Sequence, residues 1–232
     1  MKTLKQPCNQ DRCLLCKLCL KEWLPAIAAS HKNFELKKGE LLFREGELMT
    51  GIYFVYQGTV KVHKHWGNDK ELIVRFARDG QIVGHRGLGG DNHYPVSATA
   101  LEKTVVCFID NDLFYASLKV NHELLLQLML FFAGELKESE KNMRNLAHMP
   151  VKGRIAQAFL TLSAHFGDQF HETINEKISR QDLASYVGTT YETLFRMLNE
   201  MDAEGLIVFN DKQISINSQE VLRSYIGGFN IG

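Results

Sequence analysis

The hydrophobic pattern of the chain changes twice along its length. From Phe34 to Ile109, short β-branched and aromatic runs alternate with polar positions, and glycines interrupt them at short intervals. Short strands with frequent glycine turns are typical of a compact β-barrel or β-roll. From Asn121 to about Ala147, apolar residues recur at spacings of three, four or seven, which predicts one long helix. The remainder, Val151 to Gly232, predicts helices followed by a hairpin that turns around residues 210–211. The fold class is therefore predicted to be α+β.

The predicted long helix carries an apolar stripe that runs beyond what a small β-roll could cover. The stripe therefore favours a two-stranded dimer seam, and a helix packed only on its own roll is the alternative. Charged residues, Glu135 among them, are predicted to face away from the stripe. The members of the stripe are Leu125, Leu128, Phe132, Leu136, Met143 and Leu146.

Two shorter helices after the long helix form a recognisable pair. Pro150 is expected to end the long helix, because the residue before a proline avoids the α region. Ser179 is predicted to cap a helix over 180–187, which Gly188 ends. Thr189 or Thr190 then caps a second helix from Tyr191 to about Ala203. A short helix, a glycine turn and a second helix make the helix-turn-helix pattern.

The N-terminal face of the second helix carries the candidate base-reading residues, since this part of the motif enters the major groove of DNA. It offers Tyr191, Glu192, Phe195 and Arg196. Glutamate can accept from cytosine N4, arginine can fork onto guanine, and an aromatic ring can contact a thymine methyl. Glu192 and Arg196 are four apart, so they are also expected to orient each other. The alternative is an ordinary exposed ion pair.

The charge of the chain limits how it could bind nucleic acid. Lys+Arg and Asp+Glu are both 27, which excludes a basic coat over the whole surface. Residues 151–232 carry a net charge of −3. Binding would then need few phosphate contacts, with a dimer to double them. The predicted phosphate contacts are Lys152, Arg154, Lys177, Arg180, Thr189 and Thr190.

The cysteines are concentrated at the N-terminus. Four of the five, Cys8, Cys13, Cys16 and Cys19, lie within twelve residues, and Cys107 is distant. An odd count without an export signal argues against a disulfide framework and favours metal binding or redox chemistry. Thiols that bind no metal are the alternative. Neither a signal peptide nor a bilayer-spanning stretch is evident, so a cytoplasmic protein without membrane contact is predicted.

A β-roll, a long helix and a winged helix-turn-helix, in this order and length, resemble the Crp/Fnr superfamily of bacterial transcription regulators. The resemblance rests on "KKGELLFREGE" at 37–47, "ALEKTVVCFI" at 100–109, "GRIAQAFLTL" at 153–162 and "VGTTYETLFRML" at 187–198. It implies a cyclic-nucleotide-binding-like β-roll, a homodimer on a pseudo-palindromic operator, contact with RNA polymerase and no enzyme activity. It also implies that Glu192 and Arg196 read bases, although Phe195 replaces a small polar residue.

Within the superfamily, the chain most resembles the oxygen-sensing Fnr branch, whose members hold a [4Fe–4S] cluster. The resemblance implies the ligand set Cys13, Cys16, Cys19 and Cys107, with Cys8 as a substitute for one of them. The spacing here is C-x4-C-x2-C-x2-C, whereas the branch has C-x2-C-x5-C. The alternatives are haem with histidine or cysteine axial ligands, zinc on the four N-terminal cysteines, and a thiol switch.

The positions that would bind a cyclic nucleotide are altered. The branch that binds cyclic AMP has a glutamate and an arginine where this chain has His85 and Val96, and Arg86 is displaced. The resemblance therefore implies no response to cyclic AMP. The glycine-rich segment 84–90 lacks the order of a phosphate-binding loop, and Asp110 and Asp112 read as residues at a helix start. His63 and His65 share a strand face and are predicted to be ordinary surface residues.

These observations predict four regions and one function. Residues 1–30 form a cysteine-rich segment, 31–120 a β-roll sensor domain, 121–149 a dimerisation helix and 150–232 a winged helix-turn-helix domain. The chain is predicted to be a sequence-specific, DNA-binding transcription regulator that senses oxygen or redox state. The alternative from a different class is a redox or sensor module that binds no DNA and acts through protein partners.

Overall fold

Two antiparallel β-sheets form the N-terminal part of the computed structural model. The model describes residues 1–4, 13–67, 70–209 and 213–227. The five-stranded sheet has the order β1-β2-β9-β4-β7 and the four-stranded sheet the order β3-β8-β5-β6. The strands are β1 (Lys2–Leu4), β2 (Lys32–Leu36), β3 (Leu41–Phe43), β4 (Gly51–Gln57), β5 (Val60–Trp66), β6 (Lys70–Ala77), β7 (Ile82–Val83), β8 (Ser97–Ala100) and β9 (Thr104–Asp110). The predicted β-roll is confirmed.

The core of the β-roll consists of alternating strand residues that point inward. Leu36, Ile52, Phe54 and Ile109 are at most 2% exposed. At about 25 cal/mol per Å² of apolar surface, burial of each such side chain stabilises the fold by about 2 kcal/mol. The hydrophobic effect over both sheets therefore holds the roll together.

A β-bulge interrupts the pairing between β5 and β6. Val62 pairs with Arg75, but the next residue, His63, pairs with Ile73, so Val74 is an extra residue on β6. Directly opposed residues share a face of a sheet, and neighbouring residues on a strand face opposite sides. Ile73 and Arg75 therefore lie on opposite faces, although they are two residues apart.

A short helical segment connects the N-terminus to the β-roll. It comprises α1 (Leu14–Leu18), a 3₁₀ turn (Lys21–Trp23) and α2 (Leu24–Ser30). The Leu20 N–H donates to Asn121 Oδ1 at 2.5 Å, and the Trp23 indole N–H donates to Ser117 Oγ at 2.8 Å. These two hydrogen bonds fasten the segment to the part of the chain that leads into the long helix.

Two helices follow the last strand of the roll, namely α3 (Asn111–Val120) and α4 (His122–His148). The Asp110 side chain caps α3 by accepting from the Leu113 N–H at 2.8 Å, as its position in the sequence predicted. The long helix is confirmed, and it ends before Pro150. The chain divides into two compact units, Met1–Glu135 and Leu136–Gly232, and this division falls within α4.

The residues of the predicted apolar stripe of α4 lie in two different surroundings. Leu128 is only 5% exposed, and Phe132 packs on the core of the first unit. By contrast, Leu136 is 61% and Met143 60% exposed within the single chain. Steps of three and four residues rotate the contact in opposite senses around a helix of 3.6 residues per turn, so the stripe is a band of some width, and its edge at Leu128 faces the β-roll.

Helices dominate the second unit. They are α5 (Val151–Phe166), α6 (Phe170–Glu172), α7 (Arg180–Val187), α8 (Tyr191–Ala203) and α9 (Gln219–Gly227), with the antiparallel strands β10 (Ile207–Phe209) and β11 (Ile214–Ile216). Gly167 ends α5 with a φ of 55°, as predicted. The hairpin is confirmed, and its predicted turn around 210–211 lies outside the described residues. In the part of the chain that the structure describes, no helix is both long and apolar enough to cross a membrane.

Candidate nucleic-acid interface and cysteine site

Local hydrogen bonds set the geometry of the helix pair α7–α8. Ser179 Oγ accepts from the Asp182 N–H at 3.0 Å and Asp182 Oδ2 accepts from the Ser179 N–H at 3.2 Å, which forms a capping box. Gly188 follows α7 with a φ of 73°, in the left-handed region that favours glycine. Thr190 Oγ1 then accepts from the Thr193 N–H at 3.3 Å and starts α8. The predicted caps and the glycine turn are confirmed.

The N-terminal face of α8 is exposed, and its opposite face is buried. Tyr191 is 42% and Phe195 38% exposed, and Glu192 and Arg196 are exposed as well. The residues predicted to form the inner stripe, Leu194, Leu198 and Met201, are at most 1% exposed. The predicted base-reading residues thus share one accessible surface, which is the requirement for insertion into a DNA groove.

Two contacts on this surface differ from the expectation. Arg196 Nη1 lies 3.4 Å from Glu200 Oε1, one turn further along the helix, so its partner is Glu200 and the predicted pair with Glu192 is wrong. The Phe195 ring stacks near Tyr191 with centroids 6.4 Å apart and meets Phe209 of β10 edge-on at 5.5 Å. Phe195 therefore also supports the hairpin, and hydrophobic periodicity did not predict this contact.

The two arginines among the predicted phosphate contacts donate to acceptors within the protein. Arg154 donates to the carbonyl oxygens of Val187 and Gly188 at 3.0 and 3.1 Å and to that of Met149 at 3.0 Å. Arg180 donates to the Ile174 carbonyl at 3.0 Å. Burial lowers the pKa of both guanidinium groups. Arg154 thus satisfies carbonyls at the C-terminal end of α7, where a cation also favours the helix dipole.

Lys152 forms ion pairs with two carboxylates, Glu204 at 2.7 Å and Glu200 at 3.4 Å. The hydrogen bond to Glu204 raises the pKa of Lys152. Thr190 is exposed, and Lys177 and Thr189 are half-buried. The phosphate contacts of all six residues stay predictions.

The second candidate site is formed by buried thiols. Cys13 and Cys19 flank the short helix α1, and Cys16 lies within it. Cys107 occupies the centre of β9, where it pairs with Asn33 of β2 and Phe54 of β4. The four are 6%, 8%, 6% and 2% exposed, and all belong to the hydrophobic core of the first unit. Cys8 lies outside the described residues.

The surroundings of these thiols decide which groups they suit. Burial raises the pKa of Cys19 to about 11, so its thiolate needs a bound cation to persist at neutral pH. Four cysteine thiolates are the usual ligand set of a [4Fe–4S] cluster. One zinc ion would hold its sulfurs about 3.8 Å apart. Among the described residues, no three of these sulfurs lie within 4.8 Å of one another.

A polar cluster joins α4 to the β-roll, and sequence reasoning missed it. Glu135 accepts from Arg86 at 2.6 Å and from Arg75 at 3.3 Å, and His85 Nε2 lies 3.7 Å away. Burial raises the pKa of Glu135, but His85 and the two guanidinium groups lower it to about 2. The prediction that Glu135 faces away from the apolar stripe is wrong. The sequence contained a signal for this position, because Glu135 follows the buried Leu128 by seven residues, or about two helical turns, and so lies on the same side of α4.

The same cluster occupies positions that concern cyclic nucleotides. Arg86 is committed to Glu135, while Val96 is 6% exposed and carries no polar group. His85 is buried against the rings of Phe131 and Phe132, at centroid distances of 5.0 and 5.5 Å. Burial lowers the pKa of His85, which keeps its imidazole neutral near pH 7.

Two family models match the chain. Residues 33–121 match the cyclic nucleotide-binding domain, and residues 153–225 match the Crp-like helix-turn-helix domain. The first match covers the strands from β2 to β9 together with α3. The second covers both helices of the helix-turn-helix and the hairpin.

Similar proteins share most of the chain. The transcriptional activator protein anr of Pseudomonas aeruginosa is 30% identical over 195 residues, which are 83% of this chain and 80% of that protein. The fumarate and nitrate reduction regulatory protein of Salmonella typhimurium is 27% identical over 194 residues, or 83% and 77%. The structure of FixK2 from Bradyrhizobium japonicum superposes with a TM-score of 0.74 at 23% identity, covering 84% of this chain and 96% of that one.

Proposed function

Because the chain belongs to the Crp/Fnr family of DNA-binding transcription regulators, we propose that it binds a pseudo-palindromic operator as a homodimer and senses oxygen or redox state through a [4Fe–4S] cluster. This family consists of regulators and is not a class of enzymes. The observation that carries the sensing proposal is the set of four buried cysteines, three around α1 and one in β9.

Base reading is proposed for the exposed N-terminal face of α8. Glu192 and Arg196 supply an acceptor and a forked donor, and Tyr191 and Phe195 supply apolar contact with thymine methyls. The pair between Arg196 and Glu200 is exposed and weak, so the guanidinium can exchange Glu200 for a guanine at small cost. Thr190, at the exposed start of α8, is the best placed of the phosphate contacts, because helix N-termini favour anions.

Dimerisation is proposed through the exposed face of α4. Leu125, Met129, Leu136 and Met143 are 46%, 58%, 61% and 60% exposed, and their spacings of four, seven and seven place them on one side of the helix. A heptad spacing fits a two-stranded coiled coil with a second copy. Two copies double the phosphate contacts, which offsets the negative charge of the C-terminal region. The bound dimer is proposed to contact RNA polymerase.

The cysteines would hold the cluster through Cys13, Cys16, Cys19 and Cys107. A bound [4Fe–4S] cluster supplies oxygen-labile redox chemistry. The protein contributes a shell that excludes water, since Leu15 and Ile27 beside the cysteines are at most 1% exposed.

A route from the cysteines to α4 consists of hydrogen bonds. Leu20, the neighbour of Cys19, donates to Asn121, the residue between α3 and α4. Trp23 donates to Ser117 in α3. A change at the cysteines therefore acts on the start of α4, and we propose that it biases the helix between two arrangements of the dimer.

Cyclic AMP is not part of the proposed function. Its phosphate needs an arginine fork and hydrogen-bond donors. Val96 supplies neither, and Glu135 neutralises Arg86. Calorimetry with cyclic AMP is expected to detect no tight binding.

Anaerobic purification with iron and sulfide analysis tests the sensing proposal. We expect broad visible absorption and about four irons per chain. Cys107→Ala should lose the iron and the response of a reporter promoter to oxygen. Cys8→Ala is the matched control, and it should keep both.

Two results would contradict the cluster, and a third would change its ligand set. A sharp Soret band would replace the cluster with haem. A colourless, metal-free wild-type protein would leave only a thiol switch. Retention of iron and of the oxygen response in Cys107→Ala would remove Cys107 from the ligand set.

A further inference from the structure

The β5–β6 hairpin brings together three metal-ligating side chains that the proposed function does not use. His63 and His65 are two residues apart on β5, so they face the same side of the sheet. Glu71 of β6 lies directly opposite His65 in the ladder. His65 is half exposed, but His63 is 3% exposed, so its prediction as an ordinary surface residue is wrong.

The three ligand atoms are already close to metal-binding distances. Glu71 Oε2 lies 2.9 Å from His63 Nδ1 and 3.7 Å from His65 Nε2, and all three atoms lie within 4.8 Å of one another. Ligands at about 2.0–2.1 Å from a tetrahedral metal are separated by about 3.4 Å. The two distances from Glu71 Oε2 therefore differ from this separation by about 0.5 and 0.3 Å. Within the described ranges, this is the one group of three side chains that meets the 4.8 Å criterion.

The hydrogen bonds around the group orient its ligand atoms. His63 Nε2 lies 2.8 Å from Thr99 Oγ1 of β8, and Lys61 Nζ occupies the other carboxylate oxygen, Glu71 Oε1, at 2.8 Å. A hydroxyl that accepts from Nε2–H leaves the lone pair of His63 on Nδ1, as in many metal sites. Lys61 likewise directs Glu71 Oε2 toward the histidines.

A proton or a metal cation must lie between the buried Nδ1 of His63 and the carboxylate of Glu71. This atom lies 2.9 Å from Glu71 Oε2, and a proton on it would make an ordinary hydrogen bond to that carboxylate. Two lone pairs at this distance repel each other unless a proton or a metal ion lies between them. A metal ion can also bind His65, whereas a proton on His63 cannot.

We propose that His63, His65 and Glu71 bind one Zn²⁺ ion, with water as the fourth ligand on the exposed side of His65. Two imidazoles and one carboxylate are an established ligand set for zinc with an open position. The nitrogen and oxygen donors separate this site chemically from the buried thiols, which favour softer ions. The ion would join β5 to β6, and the hydrogen bond to Thr99 would extend its effect to β8. Its expected role is to rigidify the four-stranded sheet.

Zinc titration of the full chain, purified anaerobically with its iron in place, tests the proposal. Bound zinc is counted after gel filtration, and thermal unfolding is followed with and without Zn²⁺. In His65→Gln and in Glu71→Gln we expect one zinc ion per chain fewer than in the wild type, or at least tenfold weaker binding. The rise in Tm caused by zinc should disappear with it.

His122→Gln is the matched control, because His122 is an exposed histidine at the start of α4, away from this hairpin. It should bind zinc as the wild type does. Equal stoichiometry and affinity in all four proteins would overturn the proposal and leave an ion-paired hairpin. His65→Gln decides the matter if Glu71→Gln fails to fold, since His65 is half exposed.

Cobalt replaces zinc in a second readout that distinguishes the ligands. Co²⁺ on two histidines and a carboxylate gives d–d bands without a sulfur-to-cobalt charge-transfer band. These d–d bands should be absent in His65→Gln. A sulfur-to-cobalt band that persists unchanged in His65→Gln, with no other cobalt signal, would place the ion on cysteines and overturn the proposal.

Discussion

The two units of the chain differ in whether their chemically active side chains are buried or exposed. In the second unit, Tyr191, Glu192, Phe195 and Arg196 point into water from a well-capped helix. In the first unit, the four described cysteines, His63 and His85 are buried. The proposed reading surface must be accessible before DNA arrives, whereas the proposed ligands of an oxygen-sensitive group must be protected from water. Substitutions should therefore cost stability in the first unit and binding specificity in the second.

The largest effect on stability is expected from Glu135→Gln. Removing this carboxylate leaves Arg75 and Arg86 without its charge in a half-buried cluster, and breaking such pairs costs about 3 kcal/mol. Urea unfolding measures the loss. Glu138→Gln, an exposed carboxylate on the same helix, should change the free energy of unfolding by less than about 0.5 kcal/mol. Equal losses of unfolding free energy in the two variants would show that burial of the Glu135 carboxylate adds nothing to its contribution.

The pH dependence of stability tests the contribution of the same buried carboxylate. The pKa of Glu135 is about 2 in the folded state, below its ordinary value of 4.5. Its contribution is therefore complete above about pH 5 and is lost as the pH falls toward 2, and it amounts to about 3 kcal/mol. Between pH 5 and pH 2, the free energy of unfolding should fall by about 3 kcal/mol more in the wild type than in Glu135→Gln. Parallel curves of unfolding free energy against pH would contradict the assignment.

Arg196→Ala is expected to change sequence preference without changing stability. The loss should be about 1–3 kcal/mol and confined to one base pair of each half-site. Selection of bound sequences from a random pool, with thermal unfolding alongside, measures both quantities. Arg223→Ala removes an exposed charge from α9 and should leave base preference unchanged. A uniform loss on all sequences would make Arg196 a phosphate contact.

An effect on stability smaller than that at Glu135 is expected at the turn between α7 and α8. Gly188 has a φ of 73°, where an L-residue costs about 1–2 kcal/mol, and an added Cβ would lie 2.5 Å from Leu146 Cδ2. Gly188→Ala should therefore lower the Tm and weaken DNA binding. Gly134→Ala is the control, because that helical glycine has open space around it, and alanine there should stabilise the protein by about 1 kcal/mol. A higher Tm in both variants would mean that the turn tolerates other conformations.

The elements that the sequence predicted correctly are those fixed by short-range interactions. The caps at Ser179 and Thr190 act over three residues, and Gly188 ends a helix through its own φ. The exposed face of α8 followed from the period of its buried residues. Each of these signals lies within one or two helical turns, so the sequence displays it directly.

The parts that the sequence did not predict depend on the tertiary fold. Glu135 meets Arg86 and Arg75, which are 49 and 60 residues away. His63 contacts Thr99 at a separation of 36 residues. Such pairs depend on sheet register and on how a helix packs on a strand, which hydrophobic periodicity does not encode. The prediction that cysteines around α1 and in β9 form one ligand set rests on the resemblance alone for the same reason.

The bulge at Val74 has a genetic consequence. It places Arg75 on the face opposite to Ile73, so one strand serves the carboxylate of α4 on one side and the histidine pair on the other. Loss of the single codon for Val74 would remove the bulge, and Arg75 would then follow Ile73 directly and still lie on the opposite face. The guanidinium of Arg75 would therefore stay on the side of Glu135. Loss of a codon at a regularly paired position of β6 would instead turn part of the strand to the other face of the sheet, so Val74 is the position in this strand where a codon can be lost at the least cost.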